Sequence, residues 1–376
     1  MRIGINTRFL LAKKMEGFGW YTYEVVKRIV ENHPEHEFVF FFDRKCDQRF
    51  IFAKNVEPVV LFPPTRAVAL IISWFHYRLF FQLKRRKIDL FFSPDGFLSL
   101  YSKCPQVGVI HDLNFIHHPK DLPYRFRWFY RRYFPKYARK ASHLLTVSEF
   151  SKQDIVDSYQ IPADKITVAW NGASEQFVPL ETSEQQKIRS KYTKGEDYFL
   201  FVGALSPRKN LKTLLAAFQR FREQGNQGKL LIVGENLFLE GKRKKFLLPD
   251  EWATDVHFTG HLRQEELTKV MASALALVFI PYFEGFGIPM VEAMKCGTPV
   301  IAGNLTSLPE VVGDAGILVN PFAVEEVATA MKKMVDEPKL REELRQKGLE
   351  RSKLFNWDFT ADKVWQVLEN ELSKLR

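Results

Sequence analysis

The chain alternates short β-rich hydrophobic runs with longer segments in which apolar residues recur at helical spacing. Such alternation is typical of β-α-β units with parallel strands. In the first half it predicts strands at 2–6, 38–42, 90–93, 106–111 and 143–147, and helices at 19–32, 67–87, 124–140 and 148–159. After Gly172 it predicts strands at 198–203, 229–233, 256–259, 276–280 and 299–302, and helices at 210–224, 264–274, 290–296, 308–312 and 324–336. The tail at 357–375 predicts a last amphipathic helix.

Two consecutive series of this kind predict an α/β protein with two doubly wound, Rossmann-like domains that face each other across a cleft. The length of 376 residues agrees with two domains of moderate size. We place an N-terminal domain at 1–172, a C-terminal domain at 173–356 and a final helix at 357–376, which is expected to cross back to the first domain.

The positive charge of the chain is confined to its first half. Residues 1–172 carry 27 basic and 16 acidic side chains, whereas residues 173–376 carry 28 of each, so the net charge of +11 belongs to the first segment. Such a field attracts nucleic acid, phosphorylated ligands or an anionic membrane surface. Hydrophobic residues at 46% and charged residues at 26% exclude the disordered and low-complexity classes.

Features that report on the compartment indicate a cytoplasmic protein. The three cysteines, Cys46, Cys104 and Cys296, are far apart and lack metal-ligand spacing, which favours a reducing environment. The N-terminus starts directly with a strand pattern rather than a leader, so no secretion signal is expected. The apolar run at 67–75 is much shorter than the ~20 residues that a spanning helix needs.

Two patterns allow more than one interpretation. Gly17 and Gly19 before a helix, with Asp43 after the second strand, approach a dinucleotide-binding fingerprint but lack its third glycine; the plainer interpretation is a loop whose backbone N–H groups approach a phosphate or sugar. Segments 125–140 and 74–87 interleave basic and aromatic residues. They fit either helices with an aromatic core face and a solvated basic face, or a membrane-interface surface. Nucleic acid is not expected as a partner, because no RNP-like, zinc-finger or helix-turn-helix motif is present.

The richest chemical pattern lies between positions 282 and 300. Glu284 follows a buried strand, and Glu292 lies about one turn into the next helix, so both carboxylates can reach the crevice where open α/β sheets bind ligands. Paired carboxylates suit the hydroxyls of a sugar ring and of a ribose. The intervening loop, Gly285, Phe286 and Gly287, leaves backbone N–H groups for an anion.

A pair of cations follows the strand that ends at Gly203. Arg208 and Lys209 stand just before a predicted helix, where cations oppose the helix dipole, so a purely structural role is disfavoured. Beside a bound diphosphate they make sense, because a guanidinium can bond two oxygens and an ammonium acts as a point charge. His111 ends a strand and precedes Asp112; its alternative interpretation is a strand-end histidine bonded to Asp112.

With these motifs the chain resembles the retaining glycosyltransferases of family four, which have the GT-B fold. The resemblance covers nearly the whole length and rests on the loop at 16–19, the pair at 111–112, segment 147–151, positions 171–172, segment 206–210 and the seven-spaced glutamates. Within this family, the chain most resembles bacterial mannosyltransferases that use GDP-mannose to build O-antigen or exopolysaccharide chains. Where many members carry an arginine, this chain has Ala204, and Arg208 is expected to replace that charge.

The resemblance implies a role for each motif residue. Glu284 should hold hydroxyls of the transferred sugar, Glu292 the ribose, and Arg208 and Lys209 the diphosphate, while His111 should hydrogen-bond the donor sugar near its anomeric centre. Gly17 should offer its backbone N–H from the facing domain. The implied reaction moves a hexose, with mannose the best guess, from a nucleotide sugar to a lipid-linked or polysaccharide acceptor with retention. No metal or other cofactor is expected, since two adjacent cations serve the diphosphate and no Asp-x-Asp motif lies near them.

Competing functions remain open from the sequence. A GT-B epimerase is one alternative, and a phosphorylase would need a cofactor lysine that no motif identifies. Outside enzymes, the basic half suits a membrane-surface binding module. We expect an anionic membrane surface as a partner, with the protein peripheral at the inner face of the plasma membrane.

Overall fold

A computed structural model describes residues 1–12, 15, 17–234 and 254–375, and it divides the chain into two compact units. The first unit comprises 1–171 together with 357–376, and the second comprises 172–356. The predicted domain boundary lies one residue later, and the predicted separate helix at 357–376 groups with the first unit.

The first unit is built on a parallel sheet of seven described strands. Their spatial order is β3-β2-β1-β4-β5-β6-β7, so β1 lies inside the sheet between β2 and β4. The strands are β1 (Arg2–Asn6), β2 (Glu37–Phe42), β3 (Val56–Val60), β4 (Leu90–Ser93), β5 (Gln106–Val109), β6 (His143–Thr146) and β7 (Ile166–Val168). The inner strands are buried over most of their length, which explains why their hydrophobic runs are nearly continuous.

Helices cover this first sheet. They are α1 (Gly17–Asn32), α2 (Val68–Ser73), α3 (Leu79–Arg85), α4 (Asn114–His117), α5 (Tyr124–Lys140) and α6 (Glu149–Tyr159), and α14 (Trp357–Ser373) returns from the end of the chain. The single helix predicted at 67–87 is interrupted by a π-helical segment, Trp74–Arg78, between α2 and α3. The return of α14 is fixed in part by Thr360, whose Oγ1 donates to the Trp170 carbonyl at 2.6 Å.

The second unit has a parallel sheet of six described strands in the order β10-β9-β8-β11-β12-β13. These are β8 (Tyr198–Val202), β9 (Lys229–Val233), β10 (Val256–Gly260), β11 (Ala276–Phe279), β12 (Val300–Gly303) and β13 (Gly316–Val319). The accompanying helices are α7 (Thr182–Thr193), α8 (Leu211–Glu223), α9 (Gln264–Ser273), α10 (Ile288–Lys295), α11 (Leu308–Val312), α12 (Val324–Asp336) and α13 (Pro338–Ser352). β8 pairs with β9 on one side and with β11 on the other, so the direction in which successive strands are added to the sheet reverses between β8 and β11. Ligands of open α/β sheets bind at such a switch point.

Candidate functional site

Two cations and one carboxylate meet at the carboxyl ends of β8 and β11. Arg208 and Lys209 lie in a 3-10 turn after β8, and Glu284 follows β11, its parallel neighbour. Arg208 Nη1 and Lys209 Nζ both donate to Glu284 Oε2, at 2.7 Å and 2.6 Å. The sequence analysis expected these three residues at one sheet edge, and the structure adds that a single carboxylate oxygen joins the two cations. We call these residues the cation cluster.

Asn210 fixes the turn that carries the cations. Its backbone is left-handed, with φ +57°, a conformation that asparagine tolerates better than most residues. Its Nδ2 donates to the carbonyls of Ile280 at 3.1 Å and Pro321 at 2.6 Å, so the turn is tied to the ends of β11 and β13. The Tyr282 amide also donates to the Arg208 carbonyl at 3.0 Å. Asn210 is a positioning residue that the sequence analysis did not single out, and its signal was an asparagine directly after the two cations.

Gly203 lies beside the Lys209 side chain. A Cβ at position 203 would lie 3.6 Å from Lys209 Cε, and the φ of +153° disfavours other residues. The Gly203 amide donates to the Val233 carbonyl at 3.0 Å, so it is occupied within the strand region. A contact between Gly203 and the nucleotide-sugar donor, expected from its place at the end of this strand, stays a prediction. The ammonium of Lys209 also lies 4.6 Å from the centre of the Phe279 ring.

The two glutamates of the motif have opposite electrostatic environments. Burial alone would raise the pKa of Glu284, but the charges of Arg208 and Lys209 and their hydrogen bonds lower it to about 2. Burial raises the pKa of Glu292 to about 7, although its side chain keeps some contact with solvent. No hydrogen bond or ion pair of the Glu292 carboxylate joins it to the rest of the described chain. Glu292 thus stands apart from the cation cluster on α10.

The loop between the glutamates is held by packing. Gly287 has a φ of +97°, and a Cβ there would lie 2.7 Å from Met290 Cε. Phe286 is 2% exposed, and its ring packs edge-on against that of Phe355 with ring centres 5.6 Å apart, so its side chain is not available to a ligand. Ser307 Oγ donates to the Glu284 carbonyl at 2.8 Å and anchors the start of the loop. Gly285, between them, is buried.

In the first unit, His111 lies at the end of β5. Its Nε2 contacts the Pro94 carbonyl oxygen at 2.8 Å, whereas the Asp112 carboxylate accepts from the Asn114 amide at 3.0 Å. The hydrogen bond of the ring thus runs from Nε2 to a backbone carbonyl, and the choice between a donor-binding and a structural role of His111 stays a prediction. Burial lowers the pKa of His111 despite its bond to Pro94 and the nearby carboxylates, so the ring is neutral at pH 7.

Gly17 begins α1 and is exposed, and a Cβ at this position would meet no atom within 4 Å. The glycine that this loop needs for packing is Gly19, where a Cβ would lie 2.7 Å from the Phe9 carbonyl oxygen. The ring of Phe18, in the same loop, contacts the His111 ring edge-on, with ring centres 4.8 Å apart. Glu16, which opens this motif, lies outside the described residues.

Two other kinds of site are absent from the part of the chain that the structure describes. In the ranges 1–12, 15, 17–234 and 254–375, no three histidine, cysteine or acidic side chains gather as a set able to hold a metal ion. Across the same ranges, no helix combines the length and apolar character required to span a membrane.

Comparisons with known proteins cover most of the chain. The family model "Glycosyltransferase Family 4" matches residues 15–177, and "Glycosyl transferases group 1" matches residues 183–351. O-antigen chain mannosyltransferase B of Escherichia coli is 28% identical over 371 residues, which are 92% of this chain and 93% of that protein.

Solved structures share the fold over almost the full length. Sucrose-phosphate synthase from Thermosynechococcus elongatus is 19% identical with a TM-score of 0.80, and the match covers 99% of both chains. Anabaena HepE in complex with UDP and glucose is also 19% identical, with a TM-score of 0.75 over 98% of this chain and 99% of that one. These matches confirm the α/β fold of GT-B type that the resemblance implied.

Proposed function

The chain belongs to glycosyltransferase family 4, and from this membership we propose that it transfers mannose from GDP-mannose to a hydroxyl of a growing cell-surface glycan. Mannose is supported by the relative named O-antigen chain mannosyltransferase B, which matches nearly the whole chain. That relative's name also supports a bacterial surface polysaccharide, free or lipid-linked, as the acceptor. The observation that carries the proposal is the cation cluster at the carboxyl edge of the second sheet.

The cation cluster suits the leaving group of such a transfer. When the bond between the sugar and the diphosphate breaks, negative charge grows on the phosphate oxygens, and fixed positive charge lowers the energy of that transition state. Arg208 and Lys209 supply two positive charges against one on Glu284, so the cluster keeps a net charge of +1 for the diphosphate. No metal ion or other cofactor is then needed to neutralise the leaving group, and we propose that the reaction is metal-independent.

Glu284 can serve the sugar and the cations at once. Both of its ion pairs use Oε2, which leaves Oε1 to accept a hydrogen bond from a sugar hydroxyl. Glu292 is assigned to the ribose hydroxyls, because among the described residues its carboxylate has no hydrogen bond or ion pair to give up. His111 is assigned to a hydroxyl of the donor sugar, with Gly17 and Gly285 to Gly287 offering backbone atoms to the donor.

We further propose that transfer retains the configuration of the anomeric carbon. The acceptor hydroxyl attacks that carbon from the face that the diphosphate leaves. The electron pair of the breaking C–O bond goes to the departing phosphate oxygen, and the same oxygen takes the proton of the acceptor hydroxyl. The products are a mannoside and GDP, and the step needs no protein base.

A panel of donors tests the proposed function. A ligand at 100 times its Kd stabilises a protein by about 2.7 kcal/mol, so the melting temperature of a domain of this size should rise by about 5–10 °C. GDP-mannose is expected to give this shift, and Lys209→Ala should abolish most of it. A shift with UDP-glucose or UDP-N-acetylglucosamine alone would overturn the donor assignment, and no shift with any nucleotide sugar would overturn the transferase proposal. NMR of the product decides retention, since GDP-α-mannose should yield an α-mannoside.

We also propose that the first unit docks on the inner face of the plasma membrane. Three aromatic side chains of this unit are exposed and belong to one array of rings: Tyr77, Tyr101 and Trp128. Successive ring contacts connect Tyr77 to Tyr101, His76, Tyr133 and Trp128, in that order. We call this array the aromatic surface. Exposed basic side chains flank it at Arg78, Lys84, Arg85, Lys103, Arg131, Arg132 and Lys136. Rings that settle at the headgroup level and cations that attract anionic lipid suit such docking.

Vesicle binding tests this docking. Vesicles that contain phosphatidylglycerol should bind the protein at low salt, and the double variant Tyr77→Ser, Trp128→Ser should bind at least tenfold more weakly. Phe359→Ser is the matched control, because Phe359 is a similarly exposed aromatic residue of the same unit outside the aromatic surface. Equal loss of binding in the control, or no loss in the double variant, would refute the assignment of this surface. Single-stranded DNA should not compete for binding.

A further inference from the structure

A buried network connects the end of β1 to the turn that follows β4. The carboxylate of Asp95 is its centre, with 3% of the side chain exposed. Asp95 Oδ1 accepts from Asn6 Nδ2 at 2.8 Å, from Ser93 Oγ at 3.0 Å and from the Phe97 amide at 3.2 Å. Asp95 Oδ2 accepts from Arg8 Nε at 2.7 Å. Four donors therefore hold one carboxylate and fix the turn at 93–97.

Arg8 cannot easily leave this network. It is 5% exposed, and its Nη1 also donates to Thr65 Oγ1 at 3.3 Å. Its guanidinium carbon lies 4.1 Å from the ring centre of Phe97 and 4.6 Å from that of Phe9. A buried charge with ionic, hydrogen-bonding and ring partners is costly to displace. The network is thus a rigid support rather than an exposed ion pair.

The supported turn presses against the strand that leads to His111. Gly96 has a φ of +77°, and a Cβ there would lie 2.8 Å from the Val109 carbonyl oxygen at the end of β5. In the same turn, the Pro94 carbonyl oxygen lies 2.8 Å from His111 Nε2. Pro94 is the covalent neighbour of Asp95, so the position of this oxygen depends on the network around Asp95.

The contact with Pro94 determines the tautomer of His111. A carbonyl oxygen only accepts hydrogen bonds, so Nε2 must carry the proton, and in the neutral ring Nδ1 is then an acceptor. The rings of Phe18 and Tyr21 meet the imidazole edge-on at 4.8 Å and 4.7 Å and restrict its rotation. A ring held in this way presents Nδ1 as an acceptor for a hydroxyl group.

We propose that Asp95 is a positioning residue for sugar transfer, which fixes His111 in its Nε2–H tautomer through the Pro94 carbonyl. The inference rests on the proposed function, in which His111 accepts from a hydroxyl of the donor sugar. Asn6 and Arg8 act with Asp95 by holding its carboxylate. None of the three needs to touch the donor for this role.

The variant Asp95→Asn tests the proposal. It keeps the size of the side chain but directs an amide N–H toward Arg8 Nε, so two donors face each other. In protein labelled with ¹⁵N-histidine, the nitrogen shifts of His111, assigned by their loss in His111→Gln, should change from a single Nε2–H form to a mixture of tautomers. Turnover should fall about tenfold, which is the effect of one ordinary hydrogen bond. The KM for the donor should change less than twofold.

Gln106→Glu is the matched control. Gln106 is 1% exposed at the other end of β5, and its side-chain amide bonds to the Ser99 backbone, so this exchange also sets like groups against each other but leaves Pro94 in place. It should not alter the His111 shifts. If Asp95→Asn does not fold, Arg8→Lys, which loses the Nε contact but keeps the charge, should give a smaller change of the same kind.

The outcomes separate this proposal from the proposed function. Unchanged His111 shifts in the Asp95 and Arg8 variants, or equal changes in Gln106→Glu, would overturn the positioning role. A changed tautomer with unchanged turnover would overturn its link to catalysis. Because the nitrogen shifts need no donor, a wild-type protein that transfers no sugar would refute the proposed function while the tautomer result still stood.

Discussion

Replacing Glu284 by glutamine should weaken the fold and sugar transfer while it strengthens the binding of free GDP. Glutamine keeps the size of the side chain but removes the charge that Arg208 and Lys209 share. Lys209 has only 10% of its side chain exposed, so its ammonium would lose the negative charge of Glu284 without gaining much water. The three effects have a common origin in the net charge of the cation cluster.

The expected loss of stability follows from the pKa of Glu284. Burial opposes ionisation, yet the two cations lower this pKa from 4.5 to about 2. Since each pKa unit corresponds to about 1.4 kcal/mol, ionised Glu284 stabilises the folded protein by about 3 kcal/mol. Because the folded pKa lies below the unfolded one, this contribution is complete above pH 4.5 and disappears as the pH falls from 4.5 to 2. Glu284→Gln should therefore be about 3 kcal/mol less stable at pH 7, and the difference should shrink below pH 4.5.

The expected gain in GDP affinity follows from the lost negative charge. A unit charge about 8 Å from a phosphate, at an effective dielectric constant of about 20–40, changes the binding energy by about 1–2 kcal/mol. GDP should thus bind about tenfold more tightly to Glu284→Gln. Transfer of mannose should nevertheless fall more than a hundredfold, because the sugar loses the carboxylate that we assign to it.

Urea unfolding at pH 7 and pH 4 measures the first effect, and titration calorimetry with GDP measures the second. Glu266→Gln is the control: Glu266, on α9 of the same unit, accepts from Lys191 and Tyr192 rather than from the cations of the cluster, so its loss should leave GDP affinity unchanged. Equal or weaker GDP binding in Glu284→Gln would refute the electrostatic argument. Wild-type stability at pH 7 would refute the assigned ion pairs.

Four other expectations concern the same unit. Lys209→Ala should reduce transfer at least a hundredfold in a product assay, and undiminished transfer would contradict its assignment to the diphosphate. Burial raises the pKa of Glu292 from 4.5 to about 7, so its ionisation destabilises the folded protein as the pH rises through this range. In urea unfolding, Glu292→Gln should therefore match the wild type at pH 4.5 and be about 1–3 kcal/mol more stable than the wild type at pH 8. Mannose transfer should be the same with and without EDTA, and a loss restored by a divalent ion would overturn metal independence. Gly287→Ala should lower the unfolding free energy by about 1–3 kcal/mol, because it strains a φ of +97° and meets Met290 at 2.7 Å, and wild-type stability would contradict this.

The strands that the sequence analysis missed all lie at sheet edges. β3 and β7 border the first sheet, and β13 borders the second. An edge strand packs against one neighbour and stays partly exposed, so its hydrophobic run is short or broken. β3 contains Pro58, which an edge strand tolerates, and β13 exposes Leu318. The central strands were predicted because burial on both faces requires nearly continuous apolar runs.

Two of the missed helices, α7 and α13, lack a clear apolar face. α7 buries only Ile188 and Thr193, and α13 buries only Leu344, Gly348 and Ser352. Their sequences are rich in charged and polar residues, so the spacing of apolar positions gives little signal. Their helical form depends on packing against the rest of the second unit, such as the contact of Gly348 with Met294. A local sequence pattern does not carry this information.

In the candidate site, too, the sequence predicted the positions of the residues but not the contacts between residues that are distant along the chain. The sequence placed Arg208, Lys209 and Glu284 after neighbouring strands, and the parallel sheet brings such positions together. It assigned them to different parts of a ligand and did not foresee that they bind one another, because that contact depends on Asn210, which ties the turn of β8 to the ends of β11 and β13.

This contact has a consequence for catalysis. Without a donor, the Glu284 carboxylate already holds both cations in place, so little side-chain freedom remains to be lost when the diphosphate arrives. Under the proposed assignment, the same carboxylate reduces the attraction for a bare diphosphate, and a ligand that also offers a sugar hydroxyl to Oε1 recovers this loss. We therefore expect the site to discriminate between the nucleotide sugar and the released nucleotide, and so to favour departure of GDP after transfer. The opposite changes expected for GDP affinity and mannose transfer in Glu284→Gln are the direct expression of that discrimination.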